Sequence, residues 1–402
     1  MRCAKRSRIL ILALNNEYRV REDWNPLGAE CQDDPLSVYD RLRRRCPVAY
    51  SDKLGWSILR YEDVVRLLNE PTTFSNEVSS YPAVPNGFDP PRHTAYRQLL
   101  DPFLSAERVA PFAPRFRELA ESLVNELRGR GDFDFVTEFA EPFSVRAQCA
   151  FMGWEAEFGD YFLSWMRKSQ RATREGDRET LSVVADEFGD LVRDLLRSEQ
   201  RNRQGKVLAG LSGLTLEGSH LSEDEIISIV RNWTVGELGT LSASLSIIAR
   251  GIARRPNVQK KLRMRPDLVP YSIEEFLRLD GPLRSNRRRV AEPAKVGGRE
   301  LKDGGLVTLI WPSANRDNSV FQDAESFRWN RNLSRSLLYG HGIHYCPGAP
   351  LARLELKQAV DVLLGSSKWW TVPPSDKPVR ACYPASGYSF LPLTVDWLPL
   401  NS

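Results

Sequence analysis

The chain has 402 residues, of which 42% are hydrophobic, 27% charged and 10% aromatic, a balance that excludes disorder for its bulk. Its 56 basic and 52 acidic residues give a net charge of +4. That is not the excess of a nucleic-acid-binding protein, so we expect no nucleic-acid partner. No stretch reaches the roughly 18 apolar residues that span a membrane. The apolar run at 9–14 is also too short for a secretory signal. We therefore expect a cytoplasmic protein without a membrane contact.

The first half of the chain is predicted to be largely helical. Short elements come first, a helix at 35–45, a hairpin at 48–51 and 55–60, and a helix at 61–69. Residues 76–92 are rich in Ser, Pro, Gly and Asn and predict a long loop, which in a compact domain is usually functional. Helical spacing of apolar residues then runs from about 93 to 200, and 201–220 is predicted to be a polar break.

The most informative predicted helix begins at Ser222, which together with Glu225 forms a capping-box pattern. No proline follows until Pro256, which leaves room for about 33 helical residues, or ~50 Å. Gly236 and Gly239 lie near its middle, and each costs roughly 1 kcal/mol relative to alanine. A helix that keeps both glycines is expected to have a close neighbour or a ligand against its backbone.

The remaining pattern predicts a mainly α fold with small peripheral β-sheets. The expected elements are a helix at 272–280, strands within 290–311, a loop over 312–348, a helix at 349–364, and strand and turn at 369–398. We expect a single domain over 1–402, in which residues 1–30 form an N-terminal extension that could be flexible.

The segment YGHGIHYCPG, from Tyr339 to Gly348, carries the strongest chemical signal. Its glycines predict a tight turn with backbone amides near the sulfur of Cys346, and a helix begins directly afterwards. A helix N-terminus carries a partial positive charge, which lowers the pKa of a thiol. The pattern therefore indicates an anionic, soft ligand. The other five cysteines are far apart and form no CxxC motif.

Three chemistries are open for this cysteine. A zinc site could use His341, His344 and Cys346, but tetrahedral zinc needs a fourth ligand. A nucleophilic cysteine lacks an obvious orienting acid. The third possibility is the proximal thiolate of a haem.

The segment resembles the cysteine-ligand loop of the cytochrome P450 family, F-x-x-G-x-H/R-x-C-x-G, with Tyr339 in the phenylalanine position. The likeness continues through APLARLE and, with further motifs in the expected order, covers nearly the whole chain. It implies the cytochrome P450 fold of a bacterial-type haem-thiolate monooxygenase. It also implies heme b, with Cys346 as the axial ligand of the iron and Gly340 and Gly348 beside it.

Glu275 and Arg278 resemble the E-x-x-R motif of the family. A spacing of three puts both side chains on one helix face, where they can pair. A capping box of Ser272 with Glu275 would be the simpler interpretation. Arg331 lies where the family has the third member of a buried triad, so the resemblance favours the pair and implies a structural role.

The resemblance also implies which cations bind the haem propionates, namely His93, Arg97, Arg288 and His344. The family often has a further histidine three residues before the loop. Here that position is Ser336, so we expect its contact to be missing or to be supplied by Arg335.

The middle of the long helix departs from the family pattern A-G-x-D/E-T. Counting back from Pro256 aligns the threonine with Thr240, and the acid before it is replaced by Gly239. In the family the alcohol and the acid deliver protons during oxygen activation, which is general acid chemistry. Glu237 lies three residues before Thr240, so we expect it to replace the missing relay or to contact the substrate. A carboxylate that faces solvent or a groove is the simpler alternative.

Substrate contacts are expected from the same family pattern. They are Val78, Tyr81, Val84, Trp233, Gly236, Gly239, Leu283, Arg284, Ser285, Tyr388, Ser389 and Phe390. Of these, Arg284 could recognise a carboxylate or phosphate. It could equally point outward.

The resemblance implies oxidation of a small organic substrate, in such bacterial enzymes commonly a secondary metabolite. There is no spare length for a fused flavin or iron–sulfur domain, so we expect electrons to come from a separate ferredoxin and ferredoxin reductase. We also expect the protein to be a monomer. Arg335, Arg353 and Lys357 could form the docking face. The missing acid keeps a second hypothesis open, a non-hydroxylating haem-thiolate enzyme that uses peroxide or acts as a dehydratase, isomerase or oxidative coupling enzyme. A haem-binding helper without turnover is the third.

Overall fold

The computed structural model describes residues 21–79, 83–155, 157–202 and 206–399. Its α-helices are numbered α1 to α15 in chain order. They are Ala29–Asp33, Pro35–Arg45, Tyr61–Asn69, Arg92–Leu100, Ala106–Val109, Ala113–Leu127, Glu141–Met152, Phe158–Glu175, Arg178–Asn202, Lys206–Ser212, Glu223–Ala253, Pro256–Met264, Val269–Leu279, Trp311–Asn315 and Ala349–Gly365.

The strands are short, and they are numbered β1 to β14. They are Val48–Ser51, Gly55–Ile58, Phe74–Ser75, Asp132–Asp134, Thr215–Leu216, Ser219–His220, Ser285–Val290, Ala294–Val296, Arg299–Leu301, Leu306–Ile310, Ser367–Thr371, Val379–Arg380, Tyr388–Phe390 and Pro392–Trp397. The largest described sheet has the order β1-β2-β10-β7-β3, with β10 parallel to β2 and antiparallel to β7. The other described sheets have two or three strands. The predicted fold class, mainly α with small peripheral sheets, is confirmed.

Most predicted elements are found where the sequence places them, including α2, α3, the β1–β2 hairpin and α15. The polar break at 201–220 is wrong in part, because α10 lies within it. Val207, Leu208 and Leu211 are fully buried there and supply an apolar face over two turns, which outweighs the surrounding polar and glycine residues.

Helix α11 runs through the main hydrophobic core and contacts α7, α13 and α15. The predicted capping box is present, since Ser222 Oγ accepts from the Glu225 amide and the Glu225 side chain accepts from the Ser222 amide. The Tyr96 hydroxyl of α4 also donates to the Glu225 carboxylate. The start of α11 is therefore tied to α4, the helix that carries His93 and Arg97.

The N-terminal part of the described chain packs against the domain. Trp24 is buried and meets Tyr39 edge to face, with ring centroids 6.1 Å apart. Residues 1–20, which include the apolar run at 9–14, lie outside the described residues. None of the helices among the described residues is long and apolar enough to cross a membrane.

Candidate active site

The cysteine loop is a tight turn directly before α15. Gly340 and Gly342 have φ of +76° and +70°, a region that side chains rarely adopt. A Cβ at Gly342 would also lie 3.0 Å from the carbonyl oxygen of Leu68. The Cys346 amide donates to the Tyr339 carbonyl at 2.8 Å and closes the turn. Glycine is therefore favoured at both positions by the positive φ, and at Gly342 also by the close approach of the Leu68 carbonyl.

The sulfur of Cys346 lies at the start of α15, where the amides of Gly348 and Ala349 donate to it. Burial nevertheless raises the pKa of the Cys346 thiol, since it outweighs these hydrogen bonds, and the charge of Glu237 adds to the rise. The predicted lowering by the helix start is therefore wrong for the protein alone, because desolvation is the larger effect. A metal cation at the sulfur would reverse this balance, since the thiolate is the ligating form.

The zinc interpretation finds no support in the described part of the chain. No group of three His, Cys, Asp or Glu side chains there is placed to hold a metal ion. His341 is exposed. The ring of His344 instead contacts that of His93 in a tilted arrangement, with ring centroids 4.1 Å apart.

His93 and His344 form the centre of a buried group that we call the cationic cluster, completed by Arg97 and Arg288. Both ring nitrogens of His93 are buried without a hydrogen-bond partner, as is Nε2 of His344. Burial lowers the pKa of His344 to about 3, and the charges of His93, Arg288 and Arg97 act in the same direction. These orphaned nitrogens are unusual, because buried polar groups are normally paired.

Of the two arginines of the cationic cluster, Arg288 is short of an anion whereas Arg97 has one. Arg288 is 5% exposed and donates to the carbonyl of Arg287, and it has no ion pair among the described residues. Burial lowers its pKa to about 10, with Asp89 acting weakly against this shift. Arg97 pairs with Asp101 at 2.5 Å. A buried charge without a partner is costly in free energy. We therefore infer that the cluster binds an anion from outside the chain.

The predicted triad is assembled in full. Glu275 accepts from Arg278 at 2.7 and 3.0 Å and from Nε of Arg331 at 2.8 Å. Arg278 also donates to the carbonyls of Asn315 and Ala324. Glu275 and Arg278 are both 0% exposed. Ser272 bonds back to the Leu268 carbonyl, so the alternative capping box is not formed.

Most of α11 is buried, but residues near its middle are exposed. Val235 is 53% exposed, and a Cβ at Gly236 would meet no atom within 4 Å. Thr240 Oγ donates to the Gly236 carbonyl at 2.5 Å. Gly239 faces the amide of Gln170, 3.7 Å from the position of a Cβ. The helix therefore presents bare backbone and one alcohol on this face.

Glu237 contacts a residue that the sequence analysis missed, Glu355 of α15. Burial raises the pKa of both carboxyls, that of Glu355 well above its usual value, and neither oxygen of Glu355 nor Oε1 of Glu237 has a hydrogen-bond partner among the described residues. Glu237 as a whole is half-buried and its Oε1 is buried, so this oxygen does not face solvent, while a groove-facing carboxylate and the relay both stay predictions. A signal for Glu355 exists in the sequence, since it lies four residues from Leu351 and from Ala359 on the buried face of α15.

The predicted substrate residues divide into exposed and buried positions. Val78, Leu283, Ser389 and Phe390 are exposed, whereas Trp233, Gly239 and Ser285 are half-buried. Val84 is 1% exposed within the main core, and its contact with a substrate stays a prediction. Tyr388 is also buried in that core. Tyr81 lies outside the described residues.

Arg284 is buried, so the outward direction is wrong, while its recognition of a carboxylate or phosphate stays a prediction; its Nη1 is buried without a hydrogen-bond partner among the described residues. It is 3% exposed and donates to the Ala381 carbonyl. Its charge acts on Cys31 and Tyr39 of the N-terminal part of the fold.

The three basic residues of the expected docking face are already engaged. Arg353 pairs with Glu274 at 2.8 Å, and Lys357 pairs with Asp361 at 2.5 Å. Arg335 lies over the ring of Tyr61, 4.9 Å from its centroid. Arg335 therefore does not extend the cationic cluster in place of a histidine at position 336.

The sequence and the fold were compared with those of known proteins. A family model described as Cytochrome P450 matches residues 157–394. Cyclomarin C epoxidase CymV of Salinispora arenicola is 30% identical over 77% of this chain and 82% of its own length. Epothilone C/D epoxidase of Sorangium cellulosum is 29% identical, over 87% and 90%. The structure of cytochrome P450 CYP109Q5 from Chondromyces apiculatus has a TM-score of 0.85 at 25% identity, covering 93% of this chain and 98% of that one. The expected fold is thereby confirmed.

Proposed function

Because the chain belongs to the cytochrome P450 family and is a monooxygenase of that family, we propose that it transfers one oxygen atom of dioxygen to a secondary metabolite. The second oxygen atom leaves as water, which requires two electrons and two protons. We propose that a ferredoxin and its reductase supply the electrons to a monomer. The cytoplasmic location and the single domain stay predictions.

The observation that carries the proposal is the pairing of an amide-held sulfur with a buried cationic cluster that lacks anions. This donor set fits a haem. Cys346 would hold the iron, while His93, Arg97, Arg288 and His344 would bind the two propionates. When bound, the haem supplies the iron at which dioxygen is activated.

On the opposite side, the bare backbone at Gly236 allows a flat ring and its substrate to approach α11. Thr240 Oγ is the nearest alcohol to this face, and we propose that it passes a proton to the reacting oxygen. Glu237 lies three residues before it and would resupply that proton in place of the acid absent at Gly239. A Cβ at Gly348 would lie 3.8 Å from the sulfur, and Gly340 has a positive φ in the same turn, so we propose that both glycines let the backbone pass close to the haem ligand.

Two relatives are named as epoxidases of cyclomarin C and of epothilones C and D. We therefore propose a secondary metabolite as substrate, with the alkene of such a compound as one candidate position of attack. The test is a screen for the spin shift of the ferric Soret band, with these two compound types included in the panel. A product that gains one labelled oxygen atom from dioxygen supports the proposal.

The first experiment is the ferrous carbon-monoxide difference spectrum of the purified protein. We expect the thiolate-type Soret band, and we expect Cys346→Ser to lose it, because a hydroxyl is a poor donor to this iron. Cys382→Ser is the matched control, because Cys382 is an exposed free cysteine that lies outside the loop from Tyr339 to Gly348. An unchanged band in Cys346→Ser would contradict the ligand assignment.

The relay is tested with Glu237→Gln under NADH-driven turnover with the redox partners. We expect less product per NADH and more hydrogen peroxide, since the amide cannot pass on a proton. Unchanged coupling and peroxide release would contradict the relay.

Gly239 also favours a second candidate, a haem-thiolate enzyme that uses peroxide or does not hydroxylate. That candidate gains support if product forms with peroxide but not with NADH, dioxygen and redox partners.

A further inference from the structure

Asn76 carries a buried amide that the proposed function does not yet use. It is 9% exposed and directly follows β3, whose Ser75 pairs with Arg289 of β7. The carboxylate of Asp89 holds this position, since it accepts from the backbone amide of Asn76 at 3.0 Å and from Ser75 Oγ at 2.5 Å. The strand register therefore places Asn76 beside the strand that carries Arg288 of the cationic cluster.

The side-chain nitrogen of Asn76 makes two contacts. Nδ2 lies 2.6 Å from the carbonyl oxygen of Asn86 and 3.2 Å from Nδ1 of His344. A carbonyl oxygen only accepts hydrogen bonds, so the NH2 group of the amide has to face Asn86. The opposite orientation would bring Oδ1 and this carbonyl together, two acceptors with no hydrogen between them. The amide keeps its orientation although Oδ1 then has no partner among the described residues.

The orientation of this amide decides which nitrogen of His344 carries the hydrogen. Nδ2 has one hydrogen for each of its two contacts, so Nδ1 of His344 accepts the second one. A ring nitrogen that accepts carries no hydrogen, and in a neutral imidazole the hydrogen is then on Nε2. Nε2 is also the ring nitrogen that is buried without a partner among the described residues. The ring therefore keeps its single N–H for an acceptor from outside the chain.

We propose that Asn76 is a positioning residue that fixes His344 in its Nε2–H form, so that the ring offers a donor to a haem propionate. A propionate is a carboxylate and only accepts, so the Nδ1–H form would set its oxygens against a bare nitrogen. This role rests on the proposed function, because it concerns the residues assigned there to the propionates. It adds to that site a residue at the start of the loop at 76–92, which acts through His344.

The tautomer of His344 can be read by nuclear magnetic resonance. The chain has four histidines, so 15N-histidine labelling of the ferrous carbon-monoxide form gives few signals, and His344→Phe assigns the relevant one. We expect the two-bond 1H–15N pattern of an Nε2–H ring, with the 15N shift of Nδ1 displaced by its hydrogen bond. Asn76→Leu should move Nδ1 to the shift of a free nitrogen. Asn125→Leu, at an exposed position on α6, should leave it unchanged.

Haem loss to apomyoglobin is the second readout. Asn76→Leu should speed it about 2- to 10-fold, the effect of one hydrogen bond. In a His344→Phe background the same change should have no further effect, because Asn76 acts through that ring. An equal acceleration in both backgrounds would overturn the proposal and leave Asn76 as a support of the loop.

These outcomes are distinct from a failure of the proposed function. An Nδ1–H ring in the wild type, or an Nδ1 shift that does not respond to Asn76→Leu, overturns the role of Asn76, while the carbon-monoxide band and product formation stand. A wild type without that band overturns the proposed function, and with it the propionate as acceptor. Should Asn76→Leu fail to fold, the wild-type spectrum alone decides, since an Nδ1–H ring cannot accept from Asn76.

Discussion

Two buried charged groups in this molecule differ in how completely they are paired. In the triad of Glu275, Arg278 and Arg331, each charge meets an opposite charge or a carbonyl. In the cationic cluster, by contrast, the two histidines keep orphaned nitrogens, and Arg288 forms no ion pair with an acid of the described residues. A buried group whose charges are all paired stabilises the fold. A buried group with unpaired polar atoms is completed only when a ligand binds. The comparison therefore separates a structural site from a binding site without reference to any motif.

The largest effect is expected from breaking the complete group. Glu275→Ala leaves two buried guanidinium groups without their anion, which costs about 3–5 kcal/mol in the free energy of unfolding. Denaturant unfolding of the apoprotein measures this. Glu274→Ala is the matched control, because its partner Arg353 is about half exposed and such pairs contribute about 0–1 kcal/mol. Equal losses in the two variants would contradict the comparison.

The incomplete group should behave in the opposite way. Arg288→Met removes a buried charge that has no partner, so the apoprotein should keep or gain stability. Haem affinity should fall by about 10- to 100-fold, since a hydrogen bond to a charged group contributes about 1.5–3 kcal/mol. Haem transfer to apomyoglobin measures the loss. A destabilised apoprotein with unchanged haem retention would show that Arg288 is structural.

A pH series gives the next smaller effect. The pKa of His93 is lowered from 6.5 by burial and by Arg97, so the folded apoprotein holds this ring neutral. The unfolded chain then binds more protons, and stability that is present above pH 6.5 is lost as the pH falls. We expect Tm of the apoprotein to drop below this pH, and we expect a weaker drop in His93→Gln or with haem bound. Equal slopes in all three would remove His93 from the cluster.

The smallest effect is expected at the margin of the cluster. Arg335→Ala removes one cation–π contact with Tyr61 at an exposed site, which contributes about 0.5–1 kcal/mol. Haem retention should not change, because Arg335 is engaged elsewhere. A clear rise in haem loss would place Arg335 in the cationic cluster after all.

The sequence predicts well those features that depend on residues close along the chain. The cysteine turn, the pair of Glu275 with Arg278, and the capping box at Ser222 each follow from spacings of a few residues. Contacts between distant elements could not be predicted in the same way. Glu237 and Glu355 lie on two helices that only the packed fold brings together, and the bond from Arg284 to the Ala381 carbonyl joins segments about 100 residues apart.

The thiol of Cys346 shows a second limit. The backbone amides at the helix start lower the pKa of this thiol, whereas burial raises it. A sequence reveals the helix start but not the depth of burial. Desolvation outweighs the helix amides here, and this could be decided only once the loop was seen within the fold.

The hydrogen bond from Tyr96 to Glu225 has a mechanical consequence. Helix α4 carries two members of the cationic cluster, and through Tyr96 it holds the first turn of α11. Anion binding that immobilises α4 should therefore also reduce fraying of the first turn of α11. Amide hydrogen exchange at residues 223–226 should slow when haem is added, and Tyr96→Phe should uncouple the two helices while leaving the cluster intact.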